Sequence, residues 1–153
     1  MSSELSYASV HWPDSGYQDR QSYSPELVDV ANMELIFRAT ANDYADKGNF
    51  DYARRVVETG AEIVNAGLVV TMGEQGSEAR KQAVRGLWAT ASQVYEESLD
   101  RSRVPSMQWK DYFIDSDSGI RMPEELLKLY TVVWGEFAKQ YDIEVTFGYE
   151  QHQ

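Results

Sequence analysis

The apolar residues of this chain recur every three or four positions in four separate stretches, the spacing of helices that bury one face. The first stretch begins at Ser24 and Pro25, a capping residue followed by a proline suited to the first helical turn, and it ends at Gly48. Asn49 then caps a second stretch that runs to about Val70. Together the two stretches predict an antiparallel helical hairpin with a very short turn.

Two further helices are predicted downstream. Ser77 caps the third, which runs to about Leu99, and Pro123 opens the fourth, whose apolar face extends to Tyr141. Small residues on the second helix, Ala53 and Gly60, are expected to allow close contact between helices. The connector between the third and fourth helices is expected to hold a short strand at residues 109–114.

Both ends of the chain carry strand-like patterns. Residues 143–149 alternate apolar and polar side chains, as a half-buried strand does. Residues 1–23 are rich in Ser and Tyr around a turn signal at residues 13–16, which leaves two interpretations open, a loose hairpin and a flexible arm. We therefore predict a mainly α fold with a four-helix bundle-like core at residues 24–142, an N-terminal arm or hairpin at 1–23 and a C-terminal strand or arm at 143–153, the two arms contributing short β elements.

The composition argues against the commonest catalytic devices. The chain has no cysteine, and its two histidines, His11 and His152, lie in the terminal arms. A thiol nucleophile, a zinc or haem site built on His and Cys, and a core histidine base are therefore not expected, and no GxSxG elbow is present. We expect a protein that is not an enzyme and that holds neither a metal nor a cofactor.

The charge is strongly negative and unevenly distributed. The formal net charge is −11, which argues against direct binding to nucleic acid or to acidic membrane surfaces. Residues 1–53 and 111–153 each carry nine acidic and three basic residues, whereas residues 54–110 are nearly neutral. Because the first residues resemble no signal peptide and no apolar run is long enough to cross a bilayer, we expect a soluble protein, cytoplasmic or part of a viral particle.

The third helix carries its charges in the unfavourable direction. Basic residues lie near its amino end and acidic residues near its carboxyl end, opposite to the preference set by the helix dipole. One interpretation is pairing with the acidic ends of the chain, and a second is that these charges are simply solvated. The third is a bound anion at the start of the helix, held by Gly76, Ser77, Arg80 and Lys81.

Three functional hypotheses follow. The first is a non-catalytic interaction or assembly protein, such as an adaptor or virion connector, that binds a protein partner or further copies of itself as a homo-oligomer or larger assembly. Its contacts are the aromatic and apolar residues of the two arms: Tyr7, Trp12, Tyr17, Tyr23, Val145, Phe147 and Tyr149. The second is an acidic inhibitor that imitates nucleic acid through the acids of the first helix: Glu26, Asp29, Glu34, Asp43 and Asp46. The third is a regulator that binds a small anion at the start of the third helix.

Overall fold

A computed structural model describes residues 5–11, 25–73, 78–97, 120–141 and 143–149. The chain forms three strands and four helices across these residues, and helices predominate. In chain order the elements are β1 (Leu5–His11), α1 (Pro25–Asp46), α2 (Phe50–Gly73), α3 (Glu78–Glu96), β2 (Ile120–Arg121), α4 (Glu124–Gln140) and β3 (Glu144–Tyr149). In the part of the chain that is described, no helix has both the length and the apolar character required to span a bilayer.

The turn between α1 and α2 confirms the predicted helical hairpin. Gly48 adopts φ 93°, in the left-handed region that glycine enters without steric penalty. The Asn49 N–H donates to the Tyr44 carbonyl at 2.8 Å and the Gly48 N–H donates to the Ala45 carbonyl at 3.1 Å, which closes the end of α1. The Asn49 side-chain oxygen then accepts the Tyr52 N–H at 3.2 Å and caps α2.

Helix α1 is the central element of the fold. Every residue from 30 to 44 is buried, so the helix is covered on all sides rather than on one apolar face. It packs against α2 and α3, and Ile36 and Ala39 lie under partly buried side chains of α3 and β2. The polar residues between positions 30 and 44 are therefore buried together with the apolar ones, which the periodicity of the sequence does not predict.

The strands form one small antiparallel sheet in the order β2-β1-β3. Strand β1, from the N-terminal segment, lies in the middle and pairs with two strands from the C-terminal part of the chain. The prediction that the two ends contribute short β elements is therefore confirmed, since β1 and β3 pair with one another. The expected hairpin partner of β1, within residues 12–23, and the expected strand at residues 109–114 lie outside the described residues.

Helix α4 packs on α2 and on the strands β1 and β3. At its carboxyl end the Ile143 N–H donates to the Ala138 carbonyl at 2.8 Å, and the chain then enters β3. The protein is thus mainly helical with a small three-stranded antiparallel sheet, while the prediction of a four-helix bundle-like core stays a prediction.

The predicted close contact between helices is confirmed where α1 meets α2. Ala53 and Gly60 are both buried. A Cβ atom at Gly60 would lie 2.7 Å from Cγ of Phe37, and one at Gly67 would lie 2.7 Å from a methyl carbon of Val30. These separations are shorter than van der Waals contact, so both glycines are required for the observed packing.

We expect Gly60→Ala to lower the free energy of unfolding by about 1–3 kcal/mol, because the added methyl group overlaps the Phe37 ring. Gly86→Ala on α3 is the matched control, since no described atom lies within 4 Å of its Cβ position. The control is expected to raise stability by about 0.5–1 kcal/mol through helix propensity. Urea unfolding of both variants checks the pair, and equal effects of the two substitutions would contradict the packing described.

Candidate protein-interaction site

The sheet brings the two terminal segments together. Ser9 lies opposite Thr146, and Val10 lies opposite Val145. Ala8 and Val10 are buried in the hydrophobic core, and Val145 packs against it while half-buried. Thr146, on the other face, is exposed. Ser9, on the same face as Thr146, is nevertheless buried, so β1 is covered on both faces, whereas β3 contacts the hydrophobic core through Val145.

Strand β3 forms one edge of this sheet. Its inner edge pairs with β1, and within the described residues no strand pairs with its outer edge. In an antiparallel strand, backbone N–H and C=O groups point alternately to the two sides. The outer edge of β3 therefore offers backbone donors and acceptors to which another extended segment can add.

The structure places some of the predicted interaction residues and not others. Tyr7 is half-buried in β1, where it pairs with Arg121 on one side and Gly148 on the other. Phe147 and Tyr149 belong to β3, opposite Ala8 and Leu5. The remaining three residues lie outside the described part of the chain: Trp12, Tyr17 and Tyr23. Thus β1 and β3 place four of the predicted residues in one sheet: Tyr7, Val145, Phe147 and Tyr149.

A buried charged cluster connects this sheet to α1 and α4. Arg38 donates from Nε to Glu34 Oε2 at 2.8 Å and from Nη2 to Glu34 Oε1 at 3.2 Å. The Tyr130 hydroxyl donates to the same carboxylate, and Arg38 Nη1 donates to the Ala8 carbonyl of β1. We call these three side chains and this carbonyl the Glu34–Arg38 cluster. It joins α1, α4 and β1 at one point.

The electrostatics of the cluster favour a charged Arg38 and a neutral Tyr130. Burial is the largest influence on the pKa of the Arg38 guanidinium and acts to lower it, but the charge of Glu34, the adjacent Tyr130 and the hydrogen bond to Glu34 together raise the pKa overall. Burial, followed by the negative charge of Glu34, raises the pKa of the Tyr130 phenol well above its usual value. Tyr130 therefore remains a neutral donor to Glu34, and the ion pair keeps all of its hydrogen bonds.

Sequence reasoning placed Glu34 and Asp43 among surface acids that imitate phosphates, and the structure differs. Both residues are buried in α1. Glu34 is bound by Arg38, and Asp43 accepts a hydrogen bond from Lys47 Nζ at 2.7 Å. Asp29 is half-buried and Asp46 is exposed. Two of the five acids proposed for such mimicry are therefore absent from the surface.

A second cluster accounts for one of the acids at the carboxyl end of α3. The Tyr52 hydroxyl donates to the Glu97 carboxylate, and the Tyr44 hydroxyl donates to the Glu97 backbone carbonyl. The two tyrosine rings lie 4.4 Å apart between centroids. Burial, and then the hydrogen bond to Glu97, raise the pKa of Tyr52 to about 12. The unfavourably placed Glu97 is thus bound by donors from α1 and α2.

The predicted anion site is only partly described. Gly76 and Ser77 lie outside the described residues. Arg80 is 8% exposed and Lys81 is exposed, both in the first turn of α3. Within the residues that the structure places, no group of three His, Cys, Asp or Glu side chains is arranged to hold a metal ion.

Two of the tryptophans pack in the hydrophobic core. Trp134 is buried and its ring stacks on Tyr130 with centroids 5.3 Å apart, while Trp88 is half-buried against Ile36 and Ala39. Trp12 and Trp109 lie outside the described residues. Trp88 and Trp134 thus contribute to the packing of the helices.

We expect Arg38→Met to lower the free energy of unfolding by about 3–5 kcal/mol, because it leaves the Glu34 carboxylate buried without its ion-pair partner. The double variant Glu34→Leu with Arg38→Met should lose less stability than either single variant, since it leaves neither charge unpaired. Lys128→Met, which breaks an exposed 3.3 Å pair with Glu124, is the control and should cost at most about 1 kcal/mol. Urea unfolding measures the free energy of unfolding of Arg38→Met, Glu34→Leu, the double variant and the control. If the loss of stability in the double variant equals the sum of the two single losses, the two side chains are not coupled.

The pH dependence of the stability of Tyr52→Phe tests the hydrogen bond between Tyr52 and Glu97. The folded pKa of Tyr52, about 12, lies above the ordinary value of 10, so its contribution to stability is complete below pH 10 and is lost as the pH rises towards 12. The difference in unfolding free energy between the wild type and Tyr52→Phe should therefore shrink over this range. Urea unfolding at pH 9, 10 and 11 measures it. A difference that stays constant with pH would contradict the assigned hydrogen bond.

The comparisons with known proteins leave the site to be interpreted from its own residues. No protein-family model, no curated protein and no solved structure matches this chain.

Proposed function

We propose that this protein is a non-catalytic interaction or assembly protein that receives an extended segment of another chain at the outer edge of β3. The partner is another protein or a further copy of this one, as in an adaptor or connector subunit. The helical core, which we take to be bundle-like, serves as the scaffold. The observation that carries the proposal is that both terminal segments join one sheet whose β3 edge has no strand partner within the described residues.

The anchoring of the sheet supports this proposal. Strand β1 pairs along its length with β3, and Arg38 of the central helix binds its Ala8 carbonyl. Val145 packs against the core from β3 itself. An edge that is already held in its extended conformation loses little conformational entropy when a partner strand adds to it.

The chemistry of the edge also suits strand addition. Backbone hydrogen bonds supply affinity that does not depend on the partner's sequence, and side chains that alternate along β3 supply selectivity. Thr146 is exposed on one face and Val145 is half-buried on the other, so an added strand meets a polar and an apolar side. A partner strand with alternating polar and apolar residues would match both.

We expect Thr146→Lys to abolish or strongly weaken assembly and partner binding, because a long charged side chain on an edge strand obstructs the approach of another strand. Thr59→Lys, which makes the same exposed change on α2, is the matched control and should leave both unchanged. Light scattering after size-exclusion chromatography measures mass over a range of concentrations, and pull-down from the native source measures partner capture. If both variants assemble and capture partners as the wild type does, the edge is not the binding site.

A further inference from the structure

A second surface of the molecule lies between α2 and α4. A groove of ≈390 Å³, open to solvent, is lined by five side chains, which define the α2–α4 groove: Glu58, Ala61, Glu62, Asn65 and Val133. Ala61 is buried at its floor and Val133 is half-buried in its wall. The proposed strand addition makes no use of this groove.

The two large apolar side chains that are exposed in the described part of the chain lie on the same two helices. Val132 on α4 is 76% exposed and Val69 on α2 is 54% exposed. Val69 follows Asn65 by one helical turn and continues the groove-lining stripe of Glu58 and Glu62 on α2. Val132 points about 100° away from its neighbour Val133 around α4, so it faces solvent outside the groove. Val69 therefore extends the groove with an exposed apolar side chain that a partner can cover.

The ionisable residues of the groove have one sign. Glu58 and Glu62 are both exposed, and among the described residues no basic side chain lines the groove. Arg54 approaches Glu58 at 4.0 Å with both side chains more than half exposed, so this contact is weak and screened by solvent. A partner that brings Lys or Arg to these two positions gains favourable charge pairs at the rim of an apolar contact.

We propose that the α2–α4 groove binds an amphipathic, basic α-helix of another protein. A third helix fits between two packed helices when its apolar stripe faces their groove. The stripe from Glu58 to Val69 spans about 16 Å, or three helical turns of a partner. The partner's apolar residues contact Val69 and Val133, and its basic residues face Glu58 and Glu62.

A second copy of this chain fits the groove less well. Copies that each carry a net charge of −11 repel one another. The exposed basic residues of α3, Lys81 and Arg85, are not accompanied by any exposed large apolar residue among the described residues of that helix. The charge and the apolar stripe therefore favour a basic partner of different sequence.

The test uses a designed 18-residue helical peptide of Leu and Lys, with Leu at helical spacing on one face, and measures its binding to the full chain by fluorescence anisotropy. Val69→Asp is expected to weaken binding about tenfold. The double variant Glu58→Gln with Glu62→Gln is expected to weaken it about fivefold at low salt. Thr146→Lys on β3 should leave binding of this peptide unchanged, so the result is independent of the strand-addition proposal.

Matched controls separate groove binding from general attraction to an acidic protein. Ala89→Asp adds an Asp at an exposed position of α3, and Asp51→Asn with Glu78→Gln removes two charges outside the groove. Neither should change the affinity by more than about twofold. A peptide of the same composition with its Leu residues scrambled should bind at least about tenfold more weakly. Equal binding of both peptides, or equal effects of the groove and control variants, overturns the proposal.

Discussion

The fold depends on the burial of α1 together with its polar side chains. A helix covered on every side leaves no face for charged residues to reach water, so each buried charge needs a partner within the protein. The Glu34–Arg38 cluster meets this requirement by using groups from α4 and from the backbone of β1. The same contacts fix where α4 and the sheet lie relative to α1. The hydrogen bonds that stabilise the buried charges therefore also determine how these elements are arranged.

This constraint connects the helical core to the candidate interaction surface. Arg38 binds the carbonyl of the central strand, and β1 in turn holds β3 through backbone pairing. The edge of β3 is therefore two contacts away from a fully buried ion pair. This chain of contacts holds β3 beside β1 in an extended conformation. The α2–α4 groove is positioned differently, because its residues belong to two helices that pack directly on one another.

The sequence predicts the local elements well because their signals are local. Gly48 and Asn49 specify the turn between α1 and α2, Pro123 precedes α4, and the alternation after Ile143 predicts β3. It does not predict which strand pairs with which, since β1 and β3 are separated by more than one hundred residues along the chain.

The burial of Glu34 was not predicted, because an acid with a basic residue four positions later is equally typical of an exposed helix. The sequence does indicate that α1 is buried, because apolar residues lie on all sides of this helix, at Met33, Leu35, Ile36 and Phe37. The groove was not foreseen either, because an apolar residue such as Val133 fits a helical pattern whether or not a neighbour covers it fully.

The order of strands in the sheet has a consequence for how the molecule forms. Because β2 and β3 each pair with β1 and not with one another, no part of this sheet exists until an early segment of the chain meets late ones. During synthesis the helices α1, α2 and α3 can close around one another before either neighbour of β1 has been made. The outer edge of β3 thus forms only after α1, α2 and α3 have been synthesised.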